Sequence, residues 1–192
     1  MNQKRLLARP ISIMFSLCLL LIPLASAQSP SSGHIEGTAY VNEFFNLSYS
    51  WPNSLHPVDM ATLNVHPPAP NGNETFLFSA KKGQESSGVI IFAEKPNFKY
   101  QPANGRSVGQ DFLDHVKKWL DPAGNPKILA ETHTENSSGV LFYELDYTNF
   151  GEYMSAIVTE VGDYQIVFRC NAKSATDLAE MTKSVISSHH LK

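Results

Sequence analysis

Apolar and polar residues alternate along several short segments, which is the pattern of β-strands that bury one face. In residues 139–149 (GVLFYELDYTN), Leu141, Tyr143, Leu145 and Tyr147 fall on one face. The pattern predicts strands at 75–82, 88–95, 127–133, 139–149, 152–161 and 163–171. The connections between them include GQESS, NFG and Gly-Asp, and such short polar turns join antiparallel neighbours.

The first alternating segment, residues 40–52 (YVNEFFNLSYSWP), changes phase at Phe44-Phe45. This change predicts a tight turn or bulge between two short strands, and Pro52 ends the second strand. Its aromatic residues are therefore better explained as core than as a binding patch. Residues 53–74 are rich in proline and loop-like, with one helical turn predicted at 57–62 because Pro57 suits a first helical position.

Two segments have helical periodicity. Residues 107–120 open with Ser107 and Gln110, which form a capping box, and place Trp119 on an apolar face that predicts its burial. Residues 174–188 begin at Ser174. The apolar face of the first helix contains Val108, Phe112, Val116, Trp119 and Leu120, and that of the second Leu178, Met181, Val185 and Ile186.

The order of elements is two strand pairs, a helix, a meander of about four strands and a final helix. Segregated runs of this kind predict an α+β domain, an antiparallel β-sheet with helices packed on its faces. The predicted core contains Phe45, Leu47, Trp51, Phe76, Phe78, Ile90, Phe112, Val116, Leu141, Tyr143, Ile157, Phe168 and Val185.

The N-terminal residues 1–27 have the pattern of a secretory signal peptide. Basic residues at 4, 5 and 9 precede an apolar run, and ASA at 25–27 provides a cleavage site. An uncleaved anchor is the alternative, which the shortness of the apolar run disfavours. We therefore expect a flexible lead-in at 28–36, a single domain at 37–192, a periplasmic or secreted location, and no stable membrane insertion after cleavage.

Charge and cysteine content exclude some functions. Signal cleavage would remove three basic residues and no acid from a chain whose formal net charge is −3, so no basic stripe remains to bind nucleic acid. Beyond the signal region Cys170 is the sole cysteine, which rules out an internal disulfide. Its place in YQIVFRCNA indicates a buried thiol rather than a nucleophile.

Acidic residues and histidines are the candidates for chemistry. Glu144 and Asp146 share a face of one predicted strand, and Glu160 on a neighbouring strand is a third candidate. A solvated sheet face explains these acids better than acid–base work or Ca²⁺ binding. The histidines lack metal-ligand spacing, and the C-terminal pair predicts surface residues more than a metal contact. They are His34, His56, His66, His115, His133, His189 and His190.

We therefore predict no catalytic, cofactor or metal site. Three glycosylation sequons begin at Asn46, Asn73 and Asn136, and they matter only in a eukaryotic host.

The segment GTAYVNEFFNLSYSWP at 37–52 resembles the opening hairpin of PsbP-like proteins, and residues 152–188 are similar to the close of that superfold. The resemblance implies an α/β/α sandwich around an antiparallel sheet. The superfold includes the thylakoid-lumen PsbP subunit of photosystem II, a Ran-binding import factor and small exported bacterial proteins. The signal peptide argues against the import role. No metal or photosystem-contact motif of PsbP has a counterpart here, so the resemblance implies no site residues.

Two functional hypotheses follow. The first is an exported non-enzymatic binding or accessory module that presents a sheet edge or long loops to a protein partner. The second is an envelope hydrolase or metal-dependent enzyme that uses Glu144, Asp146 and a loop histidine, His56 or His66. The second requires these groups to converge on one pocket.

We expect the mature chain to begin at Gln28, because the small residues before it suit signal peptidase. Mass spectrometry of the exported protein measures this N-terminus directly. A chain that retains Met1 would contradict cleavage and favour the anchor.

Overall fold

The computed structural model describes residues 29–59, 73–95 and 107–190. There, a central antiparallel sheet has one helix on one face, and a second helix with a smaller sheet on the other. The strands are β1 His34–Glu36, β2 Ala39–Asn42, β3 Leu47–Ser50, β4 His56–Pro57, β5 Glu74–Lys81, β6 Gly88–Glu94, β7 Lys127–Glu135, β8 Leu141–Asn149, β9 Glu152–Val161, β10 Tyr164–Ala172 and β11 His189–His190. The α-helices are α1 Val108–Trp119 and α2 Ala175–Ile186, and Pro122–Gly124 is a short 3-10 helix.

The central sheet has the strand order β4-β5-β6-β10-β9-β8-β7, and every neighbouring pair is antiparallel. The predicted hairpins form β5–β6, β8–β9 and β9–β10. Its middle strands are buried on both faces, as Val89, Ile157, Val158 and Phe168 illustrate. The predicted α+β class, with helices on the faces of an antiparallel sheet, is confirmed.

The smaller sheet has the order β1-β2-β3-β11 and packs with α2 on one face of the central sheet. Its β2–β3 turn contains Asn46 at φ +52°, and the Phe45 N–H donates to Asn42 Oδ1 at 3.2 Å. This turn is the predicted phase change. Tyr40, Phe45 and Tyr49 are buried, which confirms that the opening aromatic segment supplies the core.

Two short strands lie where the sequence suggests other structure. His34–Glu36, assigned to the lead-in, pairs with β2 as β1. Pro57 pairs with Ala80 in the edge strand β4, so residues 57–59 do not begin the predicted helical turn. An edge strand tolerates proline at a position that faces away from the sheet, because no ladder hydrogen bond is lost there. The rest of the predicted turn, 60–62, lies outside the described residues.

Helix α2 closes one face of the sheet. Leu178, Met181 and Val185 are buried in that core, as predicted. Lys82 forms a 3.2 Å ion pair with Asp177 in the first turn of the helix.

The far end of α2 is held by Asn136 in the β7–β8 turn. Its Nδ2 donates to the carbonyl oxygens of Ile186 and Ser188 at 3.1 and 2.6 Å. Its Oδ1 accepts from the N–H groups of Ser138 and Val140 at 2.9 and 3.0 Å. One side chain therefore shapes the turn and fixes the helix end to it.

Helix α1 has the predicted capping box but not the predicted buried face. Its buried residues are Gly109 and Leu113, whereas Trp119 is 75% exposed, so the predicted burial of Trp119 is wrong. A Cβ at Gly109 would overlap the Tyr143 ring, which makes this the point of closest approach to the sheet. With Leu113 facing the sheet, Trp119 points about 120° away around the helix axis.

The other residues of the predicted core differ in how deeply they are buried. Leu141, the first residue of β8, is 39% exposed, so its predicted burial is wrong; its neighbour Phe142 is buried against the opposite core instead. The other residues of the predicted core are either buried or half-buried. The buried ones are Phe45, Leu47, Phe78, Ile157, Phe168 and Val185, and the half-buried ones are Trp51, Phe76, Ile90, Phe112, Val116 and Tyr143.

None of the described helices is long and apolar enough to cross a membrane.

We expect Leu113→Ala to lower the free energy of unfolding by about 2–5 kcal/mol, because it leaves a cavity under α1. Trp119→Ala should change it by less than about 0.5 kcal/mol, since that side chain is mostly in water. Denaturant titration of both variants measures the difference. A large loss for Trp119→Ala would contradict the observed rotation of the helix.

Candidate functional site

The acidic candidates lie on different faces of the central sheet. Glu144 and Asp146 alternate with Leu145, so they share the α2-facing side with Phe142. Glu160 lies on the α1-facing side, where its Oε1 accepts the N–H of Gly109 at 3.0 Å. The structure therefore keeps the first two candidates together and separates the third from them.

Glu144 is a half-buried carboxyl with weak hydrogen-bonding support. Thr132 Oγ1 and Ser155 Oγ donate to it at 3.3 and 3.5 Å. Burial, followed by the charge of Asp146, raises the pKa of Glu144 to about 7. Asp146 Oδ1 is buried without a hydrogen-bond partner among the described residues. Glu144 can therefore hold a proton near neutral pH, which by itself defines no reaction.

The candidate histidines do not join this acidic pair. His56 lies in the edge strand β4, five strands from β8, which is about 24 Å. His133 lies on the other face, with its ring centroid 6.5 Å from that of Tyr143. His66 falls outside the described residues. Within the described ranges, no three His, Cys, Asp or Glu side chains are placed to hold a metal ion.

Cys170 is the buried thiol that the sequence predicts. It is 2% exposed and belongs to the core under α2. Burial raises the pKa of its thiol, and the carboxylates of Glu144 and Asp146 raise it further. A thiol held in its neutral form and shielded from solvent is a poor nucleophile.

A groove of about 970 Å³ runs beside α1 on the opposite face of the sheet. Helix α1 contacts β8 and β9, so residues of β5, β6 and β10 form the open part of the floor. Trp119 stands in its wall. The apolar residues that line the groove include Ile90, Phe112, Val116, Trp119, Tyr147, Met154 and Ala156.

Arg169 is a cation on the floor of this groove. It is exposed, and its Cζ lies 4.7 Å from the centroid of the Phe92 ring. Glu74 and Glu94, paired across β5 and β6, line the groove too. Burial and then the charge of Glu74 raise the pKa of Glu94, while Arg169 lowers it.

The sequence patterns do not predict this groove, although one signal is present. Arg169 interrupts an apolar alternation in YQIVFRCNA, and a cation at such a position of a central strand needs an explanation. The exposure of Trp119 had no comparable signal, because its spacing from Phe112 and Val116 also fits a buried face.

Comparison with known proteins identifies the fold. No protein-family model and no curated protein matches the chain. The chain is a three-layer α+β domain built on an antiparallel sheet. A matching solved structure is the solution structure of cyanobacterial PsbP (CyanoP) from Synechocystis, with a TM-score of 0.53 and 15% identity over 83% of this chain and 97% of that one. The protein therefore has the PsbP-like fold, and this degree of identity shows the fold alone.

The raised pKa of Glu144 predicts a pH-dependent stability. Because the pKa is about 7 in the folded protein against an ordinary 4.5, the folded state binds the proton more tightly. Protonation of Glu144 therefore contributes to the stability of the folded state. This contribution is full below about pH 4.5 and is lost as the pH rises through about 7.

We expect Glu144→Gln to gain stability relative to wild type between about pH 5 and pH 8, measured by denaturant titration. Glu180→Gln, at an exposed position of α2, is the matched control. Parallel curves for all three proteins would contradict the assignment.

Proposed function

We propose that the protein is an exported, non-enzymatic binding or accessory module and that the groove beside α1 is its binding site. The observation that carries this proposal is Trp119, a large apolar side chain 75% exposed at an apolar groove. Exposed tryptophan contributes little to folding, and the groove has the volume of a typical small-molecule site. The signal-like N-terminus supports export.

The alternative envelope enzyme has less support. Its acidic pair lies on the face of the sheet opposite the groove, and His56 lies at the distant β4 edge. An acid–base mechanism needs its groups within hydrogen-bonding reach of one bound substrate. The groove instead offers apolar walls and a guanidinium, which suit recognition.

A second binding mode is favoured by strand β7. It has nine residues and forms one edge of the central sheet, and Ile128 and Leu129 are 48% and 51% exposed. An open edge of this length can accept an added strand from a protein partner. Affinity capture from the cell envelope with wild type and Leu129→Lys tests this mode. A partner lost with Leu129→Lys but kept with Trp119→Ala would place recognition at the edge.

The groove predicts binding of a neutral apolar probe. We expect N-phenyl-1-naphthylamine to bind in a 1:1 ratio with enhanced fluorescence, and Trp119→Ala to weaken binding about tenfold through lost aromatic contact. Leu129→Ala, which removes another exposed apolar side chain outside the groove, should bind like wild type.

The chain has two tryptophans, so Trp51→Phe leaves Trp119 as the single fluorescent reporter. Its emission should shift when the probe binds. Unsaturable binding, or equal affinities for wild type and Trp119→Ala, would contradict the groove as the binding site.

A further inference from the structure

We propose that the groove binds a small organic monoanion with an apolar body, such as an aromatic or aliphatic carboxylate, and that Arg169 anchors its charged group. This inference rests on the proposed function, since it names the ligand class of the same groove. It follows from the surroundings of one cation, the shape of the walls and the placement of the acidic side chains.

Arg169 lies in an apolar part of the sheet. Its cross-strand neighbours are Ala156 on β9 and Ile90 on β6. Among the described residues, no carboxylate lies within ion-pair distance of its guanidinium, which instead lies over the Phe92 ring at 4.7 Å. A guanidinium presents a planar fork of donors that matches a carboxylate in bidentate geometry. Within the described ranges the guanidinium therefore has no carboxylate partner, and its side chain lines the groove.

The walls fit an apolar body attached to that anion. Phe112, Val116 and Trp119 come from α1, and Met154 and Tyr147 come from the sheet. A volume of about 970 Å³ accommodates a drug-sized molecule. Apolar walls beside the guanidinium favour an amphiphile over a wholly polar anion, because a polar body would lose its hydration without gaining hydrogen bonds.

Acidic side chains limit the charge of the ligand. Glu74 and Glu94 line the groove on the β5–β6 hairpin, and Asp121 lines it just beyond α1. Lys81 also lines the groove. It belongs to β5, which lies three strands away from β9, the nearest strand that α1 contacts. A polyanion would meet stronger repulsion from these carboxylates than one negative charge at Arg169, whose field also reaches Glu94.

The test uses two probes with the same aromatic skeleton. 8-Anilinonaphthalene-1-sulfonate carries a negative charge, and N-phenyl-1-naphthylamine lacks it. We expect wild type to bind the sulfonate about tenfold or more tightly than the neutral probe. Arg169→Gln should weaken sulfonate binding about tenfold, the scale of a charged hydrogen bond, and leave the neutral probe unchanged. Decanoate should displace the sulfonate at lower concentration than decanol does.

Control variants separate local from general effects. Lys127→Gln removes the same charge from an exposed position of β7 outside the groove and should bind like wild type. Arg169→Lys keeps the charge but loses the fork, so sulfonate affinity should fall between those of wild type and Arg169→Gln. If thermal melts show that Arg169→Gln is unfolded, Arg169→Lys decides the question, and sulfonate affinity equal to wild type would overturn the bidentate anchor.

The outcomes distinguish the two proposals. Binding of the neutral probe that depends on Trp119, with no preference for the sulfonate and no effect of Arg169→Gln, would overturn the anion site and leave the binding groove. Equal losses for both probes in Arg169→Gln would also overturn the charge-specific anchor. Absence of specific binding by either probe would overturn both proposals.

Discussion

The contact between Gly109 and the Tyr143 ring sets the arrangement of the α1 face. Because Gly109 has no Cβ, the helix backbone can approach the ring, and its N–H reaches Glu160. Leu113 then turns toward the sheet one helical turn later. This rotation leaves Phe112 and Val116 half-buried and turns Trp119 into solvent. The groove beside α1 exists because the helix covers β8 and β9 and leaves part of β10, β6 and β5 open.

The two faces of the sheet serve different purposes. The α2-facing side is closed by a helix, a second sheet and the Asn136 hydrogen bonds, and it contains most of the buried aromatic residues. The α1-facing side buries a smaller cluster around Leu113, Leu145 and Val167. Stability resides mainly in the first core, so the open side can carry exposed apolar and charged groups at little expense to folding.

The sequence predicted the elements better than their orientation. Alternation identified the hairpins of the central sheet, and Ser107 with Gln110 located the start of α1. Hydrophobic spacing did not select between Leu113 and Trp119, since the apolar stripe of α1 is wider than the face it buries. The helical turn predicted at Pro57 is wrong because a helix start and a sheet edge both tolerate proline. The groove depends on residues from β5, β6, β10 and α1, and no local pattern reports which strands end up adjacent.

The engagement of Asn136 bears on how the protein is produced. Asn136 is the first residue of a sequon, and its Nδ2 is the atom to which a glycan would be attached. The same Nδ2 donates the hydrogen bonds that hold the end of α2. A sugar attached there would replace one of its two hydrogens and crowd the carbonyl groups of Ile186 and Ser188. In a eukaryotic host that glycosylates this sequon, glycan attachment would therefore compete with the hydrogen bonds to the end of α2 for the same nitrogen. A bacterial host avoids this conflict, and recombinant material from the two sources need not share the same C-terminal packing.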